Sequence, residues 1–231
     1  MIRVEPATAA ETDWAARQVV ARHYLHSAPD PRGRPFCYVV RLGTELVGCL
    51  WFGRPESTRC YDGGLTYGGH EEVAGGRAAY DRWEILNLSR VWFSPDVQPG
   101  GRLYSADHLP GFTDRQRCWR STLASVTIRT ALARVGWDYL LAWPPVWVDE
   151  PYRIRAVLSY CDTKLHKGTI YRAAGFTLAR VNDAGIETWW TPAVADLSEA
   201  EDASVRAASR DSGRCQRTRY KAVSLFDEVQ A

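Results

Sequence analysis

Residues 166–176 read HKGTIYRAAGF, and the reading of this stretch decides the fold. The run up to Ala174 predicts a helix over 163–174 that stops at Gly175, a residue able to leave a helix with positive φ. Phe176 then opens a strand in the core. Tyr171 has two readings. It packs at the end of a helix, or it offers its hydroxyl as a general acid, which requires a leaving group within hydrogen-bond reach.

Working outward, Phe176 to Val181 and Ile186 to Thr191 alternate as a pair of strands joined by the turn NDAG. Upstream, CWRSTLASVTIRTALARVG (118–136) has helical periodicity with Gly136 as its stop, and DYLLAWPP reads as a buried strand halted by two prolines. Residues 151–161 fit neither class clearly. Nearer the N-terminus, Glu11 to His26 has helical spacing, with Thr12 or Asp13 as caps, and ends at the loop SAPDPRGRP. PFCYVVRL and LVGCLWFG, joined by GTE, form a hairpin. Residues 54–80 form a long glycine-rich loop, RWEILNLSRVWF (82–93) a central strand, and SPDVQPGGRLYSADHLPGF a second loop. The sum is an α/β (α+β) layer fold over 1–194, with helices on the faces of one central sheet. A polar, arginine-rich tail follows over 195–231.

The 231 residues carry a net charge of +2, which gives no nucleic-acid signal by itself. Only Lys164, Lys167 and Lys221 of the 29 basic residues are lysine. Arginine suits bidentate phosphate contacts, but a GC-rich genome explains most of this bias more simply. No apolar run is long enough to span a bilayer, and MIRVEPATAAETDW is mixed and polar. The expectation is a cytoplasmic protein without a membrane partner. Six cysteines without a CxxC pair read as reduced thiols, not as a disulfide frame or zinc cage. Of the ten tryptophans, 51, 83, 92, 137 and 143 fall in or beside strands and suit core packing; Trp119 and Trp147 suit exposed contact. RCQRTRYK near the C-terminus could follow a phosphate backbone or be a disordered end.

The element order, closing with Ile170-Tyr171-Arg172-Ala173-Ala174-Gly175-Phe176, resembles the GNAT acyltransferase superfamily. The resemblance implies a central mixed, mostly antiparallel sheet flanked by helices. It also implies acetyl-CoA or another small-molecule acyl donor, with Tyr171 protonating the departing thiolate. One feature departs from the pattern: no Q/R-x-x-G-x-G/A phosphate loop follows Val91-Trp92-Phe93, and Gly100-Gly101-Arg102 stands too far from the next helix.

His23-Tyr24, the glycine-rich insertion, Leu86-x-x-x-Arg90 and Asp162-x-x-x-His166-x-Gly168-x-Ile170-Tyr171 resemble the Mom group of phage DNA-modification proteins. That group places a carbamoylmethyl group on the exocyclic amine of adenine. The likeness implies an anti-restriction transferase acting on double-stranded DNA, and a homodimer is a further expectation. The implied pocket holds His23, Tyr24, Arg90, Asp162 and Tyr171, with Ser89, His166 and Lys167 close by. Iron has been linked to the group.

The residue types suit that chemistry. Asp162 or Glu84 could accept the amine proton, and Arg90 could hold a carboxylate or phosphate by two prongs. Tyr24 could stack on a base swung out of the duplex. Each has a duller reading. Glu84 and Arg90, an even spacing apart on one strand, could share a face in a buried network. Asp162 and His166 could be a first-turn charge and its helical neighbour. His23, His26, His166 and Asp162 are ligand types for iron or zinc, but their spacing is not diagnostic. Two rival functions stand beside the leading one: an acetyl-CoA-dependent N-acetyltransferase acting on a small-molecule or protein amine, and an inactive GNAT-derived DNA-binding module.

Overall fold

The computed structural model describes residues 2–55, 84–98, 100–104, 123–144 and 154–193. The glycine-rich insertion, Trp119, Trp147 and the arginine-rich tail lie outside these residues, as does the boundary expected after 194. The strands are β1 (Ile2–Pro6), β2 (Phe36–Leu42), β3 (Glu45–Gly53), β4 (Ile85–Phe93), β5 (Ala156–Asp162), β6 (Thr177–Val181) and β7 (Ile186–Pro192). The helices are α1 (Ala9–Arg22), α2 (Leu123–Leu132), α3 (Val135–Ala142) and α4 (Thr169–Ala174). All seven strands form one sheet in the order β1-β2-β3-β4-β5-β7-β6. Every neighbouring pair is antiparallel except β4 and β5. The expected fold class therefore holds: a mixed, mostly antiparallel sheet flanked by helices.

The sheet has two apolar faces. On one, Trp14, Ala15 and Val19 of α1 pack on Cys37, Cys49, Trp51 and Trp92. On the other, the helical segments bury Ile128, Ala131, Leu140, Ala174 and Phe176 against Leu50, Leu86, Leu88 and Phe93. Asp138 of α3 joins that second layer to β2. Its carboxylate accepts the Tyr38 hydroxyl at 2.6 Å and pairs with Arg134 at 3.2 Å.

Several boundaries differ from expectation. β1 was not anticipated; Ile2 and Val4 alternate with Arg3 and Glu5 and pair with β2. The cap of α1 is Thr8 rather than Thr12 or Asp13. Thr8 and Glu11 satisfy each other's backbone N–H groups in a capping box, worth about 1 kcal/mol. DYLLAWPP is not a strand: Asp138 to Ala142 continue α3, and Gly136 lies inside that helix instead of stopping one. A four-residue apolar run carries no decisive period, so Tyr139-Leu140-Leu141-Ala142 suits either element. The buried strand is β5, in the stretch that read as neither class. The expected helix over 163–174 shrinks to the six residues of α4, because residues 163–165 form a turn and 166–168 are not helical.

β4 carries the detail that shapes the site. Trp51 faces Arg90 across the β3–β4 ladder, but Phe52 faces Leu88. Ser89 is therefore one extra residue, a β-bulge, and the inside and outside of β4 exchange parity at that point.

Candidate active site

β4 and β5 pair only through Ile85–Ala156, Leu86–Val157 and Asn87–Leu158. Beyond that the strands part. At the fork Ser159 Oγ donates to the Leu88 carbonyl at 2.9 Å, one residue past the ladder pairs. The bulge at Ser89 falls one residue later, where an irregular strand can leave its neighbour without breaking the β3 ladder. The β5-facing backbone edge of residues 89–93 thus stands outside the ladder. A cavity of about 160 Å³ opens there, with Ser89, Val91, Tyr160 and Cys161 from the two strands in its wall.

The other walls come from opposite faces of the sheet. From the α1 side come His23 and Tyr24; from the other come Gly168, Thr169, Ile170 and Tyr171 around α4. The cleft therefore runs between the two faces at the fork.

HKGTIYRAAGF places the second wall. Gly168, at φ +63°, caps α4, and a Cβ there would stand 2.7 Å from both Glu187 Oε2 and Trp189 Cζ2. Gly175, at φ +95°, ends the helix, and the Phe176 N–H reaches back to the Tyr171 carbonyl at 3.0 Å. The Tyr171 ring stacks on Trp189 at 6.2 Å and meets Phe176 edge-on at 5.7 Å. The ring is thus packed at the end of a helix while the residue also lines the cavity. Burial, with Cys161 and Tyr24 nearby, pushes its hydroxyl up to about 12, and a hydrogen bond with Ser159 pulls the other way. At neutral pH Tyr171 therefore keeps its proton.

The first wall hangs from the end of α1. His23 caps that helix, and its Nδ1 accepts the Leu25 N–H at 3.2 Å. Its ring lies 4.4 Å from that of Tyr24, which lies 5.2 Å from His166. Three rings thus stand along the cavity. Burial chiefly, then the charges of Arg90, His166 and His26, lower the His23 pKa to about 4. Burial also raises the Tyr24 hydroxyl. Arg90 does not line the cavity. Its guanidinium donates to the Ser27 carbonyl and Oγ, each at 3.2 Å, and to the Ser89 carbonyl at 2.8 Å, tying the His23–Ser27 turn to the bulge.

The remaining expected residues scatter. Glu84 pairs with Arg155 at 3.0 Å, about 16 Å along β4 from Ser89 at roughly 3.3 Å per residue. Its expected shared face with Arg90 fails because the bulge between them reverses the alternation. Asp162 ends β5 and turns its Oδ1 to the Lys164 N–H at 2.9 Å; it is not among the cavity-lining residues, while His166 and Lys167 are. Asp162 and His166 both precede α4, but they share one turn, in which the His166 N–H reaches the Asp162 carbonyl at 2.9 Å. His26 faces the Val20 carbonyl at 3.2 Å, and among the described residues no group of three ligating side chains meets.

Sequence reasoning missed Ser159 and Cys161, which lie in the strand it left unassigned. Cys161 is buried in the cavity wall, with its thiol pushed up by that burial and directed at the His166 carbonyl.

No family profile matches the sequence, and no curated protein matches it. Similar solved structures include a GNAT-family acetyltransferase from Bacillus cereus, 12% identical over 84% of this chain and 99% of that chain, TM-score 0.40. Another, from Streptococcus pneumoniae, is 10% identical over 84% and 100%, TM-score 0.42. The Campylobacter jejuni N-acetyltransferase PseH, solved with acetyl coenzyme A, is 8% identical over 84% and 100%, TM-score 0.40. At these identities the donor and acceptor of this chain rest on its own residues.

Proposed function

We propose that this protein is a transferase that moves an acyl-type group from a thioester donor to an amine in the cleft between β4 and β5. The observation that carries this reading is the parting of the two strands after Asn87 and Leu158, with Tyr171 in the wall of the gap. Backbone N–H and C=O groups along residues 89–93 offer a strand edge to an extended arm bearing amides, such as the pantetheine of coenzyme A. Such a donor would supply an activated carbonyl carbon and a thiolate leaving group. This geometry fits the acetyltransferase alternative better than a reading built on an Asp162 base.

Tyr171 works here as a hydrogen-bond donor. A phenol near 12 facing a thiolate near 8.5 gives up its proton uphill by about 5 kcal/mol, so its main effect is to stabilise developing negative charge. The packed rings of Trp189 and Phe176 hold its position in the wall of the cavity.

A second reading concerns the acceptor. Among the described residues lining the cavity none is a carboxylate, and Lys167 is present. An alkylammonium therefore meets Lys167 and no carboxylate among the described lining residues, whereas a planar, uncharged amine finds the rings of His23, Tyr24 and His166. The exocyclic amine of adenine in DNA belongs to that class, and a carbamoylmethyl-like group is one cargo to look for.

One experiment addresses both readings. Purified protein is mixed with acetyl-CoA and either a panel of small amines or duplex DNA; released thiol is followed and the DNA nucleosides are weighed by mass spectrometry. Thiol release that falls about 10–100-fold in Tyr171→Phe is expected. No acetyl-CoA binding and no release with any acceptor would remove the thioester reading, and unmodified nucleosides the DNA one.

A further inference from the structure

We infer that His23 serves the cleft as a neutral hydrogen-bond donor through Nε2–H, and not as a general base. The inference rests on the transferase reading above for its role, but its tautomer is fixed by geometry alone. The chain leaves α1 by a turn in which the Leu25 N–H points at His23 Nδ1, 3.2 Å away. That nitrogen must be the bare one, because a backbone N–H can only donate. A neutral imidazole carries one proton, so it sits on Nε2, and His23 lines the cavity.

The surroundings hold the ring in its neutral form. Arg90 from β4, His26 from the same turn and His166 from the loop before α4 all disfavour a second proton, and the ring is 9% exposed. Tyr24 covers it at 4.4 Å. Among the described residues lining the cavity no carboxylate offsets them.

The Tyr171 hydroxyl hydrogen-bonds Ser159, whose own proton goes to the Leu88 carbonyl; once turned from that partner toward the cavity, it and His23 Nε2–H are two uncharged donors in one cleft. Their chemistry suits the oxygen of the acyl group. As the amine nitrogen bonds to the carbonyl carbon, the C=O pair moves onto that oxygen, where donors stabilise it. As the pair returns, the C–S bond breaks, and the proton lost by the nitrogen ends on the thiolate sulfur. Neutral donors do this without presenting a cation that repels the incoming amine or traps the product.

Two measurements test the assignment. Long-range proton–nitrogen NMR correlations of His23 report its tautomer in the full chain without any substrate. A protonated Nε2 with a bare Nδ1 from pH 5.5 to 8 is expected; an Nδ1–H tautomer or an imidazolium in that range overturns the proposal. This readout decides His23 even where acetyl-CoA proves not to be the donor. In the thiol-release assay, His23→Gln keeps an N–H near the position of Nε2 but has no basic nitrogen. It is expected to stay within about tenfold of the parent with an unchanged pH profile, while His23→Ala loses about 100-fold or more. A glutamine variant as inactive as the alanine one, both folded by circular dichroism, refutes the donor role.

Discussion

At the scale of single residues, the site depends on positions where only one side chain fits. Gly168 is the sharpest case. It combines a left-handed backbone with a gap too small for a methyl group, bounded by Glu187 and by Trp189, which is 2% exposed and cannot move away. The left-handed conformation alone costs an L-residue about 1–2 kcal/mol, and displacing Trp189 adds about as much. Gly168→Ala is therefore expected to destabilise the protein by about 2–4 kcal/mol, read as a lower urea midpoint with an unchanged slope. A loss below about 1 kcal/mol would mean that Trp189 gives way freely. Gly175 was legible in the sequence because a helix stop with positive φ leaves a compositional mark, whereas Gly168 fell inside the expected helix and its left-handed turn went unread. The turn at Asp162 and the Nδ1 contact of His23 were not legible either, since both depend on where a side chain rotates after the fold is made.

Among elements, β4 shows how a readable pattern can still mislead. RWEILNLSRVWF looked like one alternating strand, and it is one, but its phase slips at Ser89. Leu86 and Leu88 share a face with Val91 and Phe93, an odd step that a strict period of two cannot contain. That slip was present in the sequence and would have separated Glu84 from Arg90. It also implies an unusual variant. Deleting Ser89 leaves Leu86-Asn87-Leu88-Arg90-Val91-Trp92-Phe93 in unbroken alternation, so both apolar faces remain filled. The shortened protein is expected to fold with a melting temperature within about 3 °C of the parent. With the bulge gone, β4 can continue alongside β5, and acetyl-CoA affinity measured by calorimetry should fall at least about tenfold. Unchanged affinity in a folded deletion variant would detach the cleft from the bulge. α3 taught the opposite lesson: its apolar run had no phase to read, and only packing of Leu140 and Val135 into the shared core decides for a helix.

For the whole molecule, the cleft is a product of topology. Its walls come from the end of α1, from β4 and β5, and from the start of α4, elements spread over some 150 residues and lying on both faces of the sheet. Burial of His23 in such a place couples the site to global stability. Unfolded, the imidazole takes a proton near pH 6.5; folded, it does so only near pH 4. Between these values the unfolded chain binds more protons, so stability falls as pH drops through that window and the loss is complete below about 4. The full gap corresponds to about 3 kcal/mol. Thr8 and then Arg41 hold the Glu11 carboxyl low, and its loss at still lower pH has the same sign but begins near the usual carboxylate range. His23→Gln cannot take up a proton, so the variant should lose about 2–3 kcal/mol less than the parent between pH 7 and pH 4 in paired denaturant titrations. Parallel curves for the two proteins would mean that His23 charges as easily folded as unfolded. In that event the neutral donor in the cleft would lose its energetic basis along with its pH signature.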